Sequence, residues 1–363
     1  MSCRENYEPP AIANPPAILV VDGFLNNSIT DTTYIQLSRT NKLSESTVHG
    51  AEHGATVDIK NEEGNIVYRS LETGNGSYIF PGLYLDPSHT YKLHIHTANN
   101  QEYLSDALVV QTTPSIDSIG FDKTEKGVDI HVNTHDSLNN TRYYRWEYTE
   151  TFQYHAAYYS GIIFPGNGYY VDRPAEQQIY ECWKTEPSTQ LILASSAKLE
   201  QDIIYKNILR HVDQDAIELS LKYFIKVKQF ALTKNAYEYL QNLKKVTEQS
   251  GGLFDSQPNE LEGNIHNLTN PKEDALGYMT VATAEKKEIY FTNDQVQPWN
   301  YDPRCDISEI KPDKMPKFIS PDSPIGLYID GSPYNLKGIF VTSPQCGDCR
   351  MLGGTTTRPD FWN

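Results

Sequence analysis

The sequence holds no apolar run approaching the roughly 18 residues that a membrane-crossing helix requires. Its opening, MSCRENYEPP, has neither the basic start nor the apolar stretch of a secretory signal. A chain of this kind is expected to be a mature or trimmed exported protein, or a cytosolic one. Positive charge is also short. Lys and Arg total 31 against 47 Asp and Glu, a formal net charge of −16. Such a surface repels phosphates, so no nucleic-acid partner is expected. The motifs HExxH, GxSxG, GxGxxG and the Walker loop are missing. No catalytic residue is nominated, and neither a metal nor a cofactor is expected. His94 and His96 share one strand face, but a polar sheet surface explains them more simply than chelation.

Cysteine is scarce and placed unevenly, at positions 3, 182, 305, 346 and 349. Cys3 follows a small Ser2 and precedes RENYEPPAIANPPA, a polar, Pro-rich stretch expected to be extended and mobile. That arrangement suits a lipidated Cys3 on a tether over residues 1–17. The other four are even in number, as expected for two disulfides in an oxidising compartment. Cys346-Gly-Asp-Cys349 also resembles a redox pair or half of a zinc site. A redox pair belongs at a helix start after a strand, and structural zinc sites usually take two short spacings. Disulfides among Cys182, Cys305, Cys346 and Cys349 are therefore favoured, with three connectivities open.

What the chain has in abundance is Tyr, 25 in 363 residues, a residue of strands and half-buried contact surfaces. The patterning predicts a mainly β protein. ILVVDGFL, TTYIQLSRT, the hairpin ATVDIKNEEGNIVYRS, GSYIFPGL, TYKLHIHTA and EYLSDALVV place about seven strands over residues 18–112, an immunoglobulin- or transthyretin-like β-sandwich. Residues 113–292 read as a second, fibronectin-like β-sandwich. Its helical insertion spans 234–250, where Thr233 is the N-cap and Ala236, Leu240, Leu243 and Val246 recur at helical spacing. ALGYMTVATAEKKEIYF returns to strand. Residues 293–363, rich in Cys, Pro and Gly, form a disulfide-stapled tail packed on the second domain.

Several segments together are similar to one family: ILVVDGFL, TPSIDSI, ECWKTEPSTQLILASS, LKYFIKVKQFALTKNAYEYL, LFDSQPNELEGNIHN, ALGYMTVATAEKKEIYF and CGDCRMLGGTTTRPDFW. They resemble the Bacteroidota outer-membrane lipoproteins catalogued as domain of unknown function 4249 (DUF4249). The resemblance implies a lipid-anchored protein with Cys3 as the lipidated residue. It also implies an outer-membrane location and a TonB-dependent transporter as partner, and it carries no catalytic residues. The expectation is a non-enzymatic, surface-exposed binding or accessory subunit. A structural or adhesive subunit of another envelope complex is the first alternative, and a hydrolase built from distant carboxylates the second. The segment 154–170 offers the contact surface expected of a binder: Tyr154, Tyr158, Tyr159, Phe164, Tyr169 and Tyr170, interleaved with Gly.

Overall fold

The computed structural model describes residues 17–40, 50–163, 171–248, 262–299, 301–310, 325–328 and 339–362. The strands in chain order are β1 (Leu19–Gly23), β2 (Leu25–Asn26), β3 (Thr32–Arg39), β4 (Thr56–Asn61), β5 (Ile66–Arg69), β6 (Leu71–Gly74), β7 (Ser77–Pro81), β8 (Thr90–His96), β9 (Glu102–Ser105) and β10 (Leu108–Val109). They continue with β11 (Ile116–Lys123), β12 (Gly127–Asp136), β13 (Tyr143–His155), β14 (Ile162–Ile163), β15 (Val171–Asp172), β16 (Glu181–Pro187), β17 (Ile192–Ser195), β18 (Asp202–Asp213) and β19 (Lys222–Ala231). After helix α1 (Lys234–Glu248) come β20 (Ile265–Asn267), β21 (Val281–Ala282), β22 (Ala284–Thr292), β23 (Ser308–Ile310), β24 (Ile325–Tyr328) and β25 (Ile339–Val341). The fold is mainly β, as the patterning predicts. No helix among the described residues is long and apolar enough to cross a membrane.

The first unit has two sheets, ordered β1-β3-β7-β6 and β20-β9-β8-β4-β5. Alternation along β3 sets its face: Ile35 and Leu37 are fully buried, whereas Tyr34 is exposed. Both sheets contribute to one core, Leu19, Ile35, Leu37 and Phe80 from one and Val57, Ile59, Leu93 and Ile95 from the other.

That core is completed from far along the chain. Ile265, Ala275, Met279 and Val281 belong to it. β20 pairs with β9, and β21 lies parallel to β2. The residues around ALGYMTVATAEKKEIYF are therefore not one strand of the second unit. Val281 and Ala282 serve the first unit, and β22, starting at Ala284, pairs with β19 in the second. The reason is that an apolar run reads the same whichever sheet it joins. Gly277 permits the crossing: it sits at φ +144°, and a Cβ there would lie 2.1 Å from the Val21 carbonyl oxygen.

The second unit packs sheet β11-β12-β18 against sheet β16-β13-β19-β22, with β17 also on β13. Its core is aromatic, with Tyr144, Trp146, Phe152, Tyr154, Tyr223 and Phe291 among Ile and Val. Helix α1 begins where expected, the Ala236 amide donating to the Thr233 hydroxyl at 3.3 Å. It lies partly exposed, with Ala236 its fully buried residue. The described part ends at Glu248, so the last two residues of the expected helix, 249–250, lie outside the described residues.

The tail wraps the β16 edge. Thr355 exchanges two backbone hydrogen bonds with Trp183, at 2.8 and 2.9 Å. Trp362 then packs with Trp183, Phe224 and Tyr290 on one sheet face, while Cys349 joins the core on the other.

Candidate functional site

The four cysteines pair as Cys182–Cys349 and Cys305–Cys346. This resolves the three connectivities and excludes a CxxC redox pair, since Cys346 and Cys349 each bond a distant partner. The motif sits on two short helical turns, Pro344–Gly347 and Cys349–Leu352.

The expected contact tyrosines divide. Tyr154 is fully buried and donates its hydroxyl to the Cys349 carbonyl at 2.8 Å, so it is core and not contact surface. The cause is strand alternation: Tyr154 shares the inward face of β13 with Tyr144, Trp146 and Phe152. Tyr158 is half-buried; its hydroxyl donates to the Cys305 carbonyl at 3.0 Å and its amide to the Cys346 carbonyl at 2.9 Å. These rings tie the disulfide region to the second unit. Tyr159 does lie on the surface, 46 % exposed, edge-on to Tyr180 at 5.5 Å. Phe164, Tyr169 and Tyr170 lie outside the described residues, as does Cys3. His94 is buried, 3.9 Å from Glu102, and no group of three or more potential metal ligands converges among the described residues.

A different place has the form of a site. The long strand β13 carries two partners on one edge, β17 along Tyr143–Trp146 and β16 along Thr149–His155. Between them the chain at 188–191 swings away, held by the Ser188 amide on the Tyr148 carbonyl at 2.8 Å. A cleft of about 730 Å³ opens there, against β18. Tyr148, Glu150, Gln190, Asn207 and Arg210 are among its lining. A smaller cavity of about 390 Å³ lies on the other side of the same turn, along Arg145, Glu147, Lys226 and Lys228.

The carboxylates, Arg210 and His211 of the larger cleft are already paired, and Lys244 has a hydrogen-bond partner. Glu150, 4 % exposed, accepts from the Tyr223 hydroxyl and lies 3.3 Å from Arg210 Nε. Burial pushes its carboxyl above the usual range, opposed by the Tyr223 hydrogen bond and the Arg210 charge. Arg210 also reaches Glu218 at 3.2 Å. Glu186 pairs with Lys184 at 2.8 Å, His211 with Asp129 at 2.5 Å, and Lys244 donates to the Leu191 carbonyl at 2.5 Å. The neutral groups are in the opposite condition. The side chains of Tyr148, Thr189, Gln190 and Asn207 make no hydrogen bond with the described residues, and the Asn207 amide nitrogen is buried without a partner. Burial, then the Glu150 charge, pushes the Tyr148 hydroxyl up to about 12, so it stays protonated and able to donate. Sequence reading missed this cleft because its walls are 60 residues apart. The one local signal is the turn-forming Pro187-Ser188-Thr189-Gln190 inside a strand-like stretch.

A family model described as domain of unknown function (DUF4249) matches residues 4–288. The match stops before the tail, so the terminal CGDCRMLGGTTTRPDFW lies beyond it. No curated protein matches the chain. Among solved structures, one described as manganese lipoxygenase of Gaeumannomyces graminis with partial zonadhesin of Komagataella pastoris is 10 % identical, covering 62 % of this chain and 91 % of that one, with a TM-score of 0.17. Another, described as a membrane-anchored protein from Corynebacterium diphtheriae, is 13 % identical, covering 74 % of this chain and 62 % of that one, with a TM-score of 0.18.

Proposed function

Because the chain belongs to the DUF4249 family, we propose that it is a non-enzymatic binding or accessory subunit, held at the outer membrane by a lipidated Cys3 and working with a TonB-dependent transporter. One observation carries the binding half of this reading. The cleft beside β18 has every charged side chain in its lining partnered, while its neutral polar side chains make no hydrogen bond with the described residues. A catalytic site usually holds a titratable group poised to react; here the one such carboxyl, Glu150, is engaged by Tyr223 and Arg210, which favours holding a ligand over turning it over. Cys3 ahead of a Pro-rich stretch supports the anchor.

Two measurements test the proposal. The full-length chain should incorporate a palmitate analogue, and Cys3→Ala should abolish incorporation; equal labelling of the variant removes the anchor. Membrane-extracted protein should co-purify with a TonB-dependent transporter in fixed ratio. Recovery of other envelope subunits instead would favour the structural or adhesive alternative. The hydrolase alternative draws on Glu150, a buried carboxyl held above its usual range at the cleft wall. Turnover of a bound ligand that disappears in Glu150→Gln would establish it.

A further inference from the structure

We propose that the cleft between the 187–191 turn and β18 binds an uncharged, hydroxyl-rich ligand, a short neutral oligosaccharide. The inference deepens the binding reading above and rests on it.

The first argument is electrostatic. An ionic ligand gains most where the site offers an unmatched opposite charge. Here Arg210 is shared by Glu150 and Glu218, Glu186 is held by Lys184, and His211 by Asp129. An anion would have to displace Glu150 from Arg210 and strand a buried carboxylate, a strongly unfavourable exchange. A cation would have to displace Arg210 from the same carboxylate. Apart from Lys244, which donates to the Leu191 carbonyl, ions of either sign therefore meet groups that are already paired.

The second argument concerns what remains. The Tyr148 and Thr189 hydroxyls and the Gln190 and Asn207 amides each both donate and accept. A ligand made of hydroxyls does the same, and it matches such a lining without an uncompensated charge. The buried Asn207 amide nitrogen, with no acceptor among the described residues, carries a desolvation cost that a small turn of the side chain toward a ligand hydroxyl would relieve. The Tyr148 ring and Ile208, the latter 54 % exposed, add apolar area for the C–H surface of a sugar ring. About 730 Å³ falls inside the range of small-ligand sites, roughly 300–1,000 Å³. It suits a short oligomer better than a single ring.

The test is calorimetric titration of the full-length chain with maltohexaose, cellohexaose, xylohexaose and chitohexaose, with a heparin hexasaccharide and spermidine as charged comparators. At least one neutral oligosaccharide should bind at millimolar concentration or below, more tightly than either comparator. Asn207→Ala and Tyr148→Phe should each weaken it roughly fivefold, the effect of one hydrogen bond, and Tyr148→Ala roughly tenfold or more. Circular dichroism checks the fold of each variant, and Tyr148→Phe keeps the ring where Tyr148→Ala disturbs packing. Lys228→Ala, on the other side of the turn, should change nothing. Failure of all four neutral sugars, tighter binding of a comparator, or affinity untouched by the wall variants overturns the inference. A chain that co-purifies with a transporter yet binds no sugar loses this inference and keeps the accessory role. A chain that binds sugar and recovers no transporter does the reverse.

Discussion

The two units stabilise their cores by different means. The first is largely aliphatic, has no disulfide among its described residues, and is closed by a segment from residues 264–282. The second is aromatic, and its rings bring hydroxyls and an indole N–H into the interior. Tyr144 and Ser196 donate to the buried Asp202, Tyr223 to Glu150, and Trp146 to Gln229 at 2.8 Å. A buried ring hydroxyl needs an acceptor, so an aromatic core drags a polar network in with it. Where that network reaches the edge of β13 it becomes a lined cleft.

The sharpest test of this contrast is Trp146→Ala. The ring is 1 % exposed and the change also leaves the Gln229 side-chain oxygen without its indole donor. It should cost about 3–5 kcal/mol, read from denaturant melts, with the loss confined to probes in the second unit. A loss below ~1 kcal/mol would mean the aromatic core is not what holds that unit. Next come the disulfides. Each should contribute roughly 2–4 kcal/mol, Cys182–Cys349 the more because it closes the longer loop, a separation of 167 against 41. Mild reductant should open Cys305–Cys346 first, since Cys305 is partly exposed while Cys182 and Cys349 are fully buried. Mass spectrometry of alkylated samples reads the order. Simultaneous opening would show that the tail leaves as one piece.

A smaller effect separates the networks themselves. Tyr223→Phe removes one donor from the buried Glu150 and should cost about 1–3 kcal/mol. An unchanged melt would show that Arg210 alone suffices for Glu150.

The smallest effect is in pH. His266 lies 3.1 Å from both Asp106 and Asp274 at the seam of the first unit. The Asp274 hydrogen bond, outweighing burial and joined by Asp106, raises its pKa. A raised folded value gives stability present below the ordinary ~6.5 and lost as pH climbs through the folded value. In the second unit, burial lowers His131, so stability there falls as pH drops below ~6.5. The seam should weaken on the alkaline side and the second unit on the acid side, across ~pH 5 to 8. His266→Gln should flatten the alkaline loss, by at most ~1 kcal/mol for so exposed a pair.

Much of this was legible in the sequence, for local reasons. The alternation in TTYIQLSRT gives the buried face of β3, Thr233 gives the start of α1, and the even cysteines give two bridges. The GG near the end is visible in the sequence, but its cause is in the fold: a Cβ on Gly354 would sit 2.3 Å from the Tyr154 hydroxyl oxygen. What escaped is non-local. Tyr154 looked like one of a set of contact rings because nothing nearby shows that Cys349 would receive its hydroxyl. The cleft escaped because Tyr148 and Asn207 meet only through the pairing of sheets. The division of 262–292 escaped because Val281 and β22 are equally strand-like and differ only in which unit they complete.

That division has a consequence for the order of events when the chain is made. Synthesis delivers the N-terminus first, and domains generally fold as they emerge. Here the first unit must wait. Until Met279 and Val281 arrive, the groove beside Leu19, Val21 and Leu25 stands open and β9 has an unpaired edge. The N-terminal part of this protein therefore emerges first yet finishes with the whole, after most of the second unit's strands are out. A fragment ending at residue 112 should expose that groove to dye binding and aggregate, and a separately supplied 262–283 peptide should suppress both.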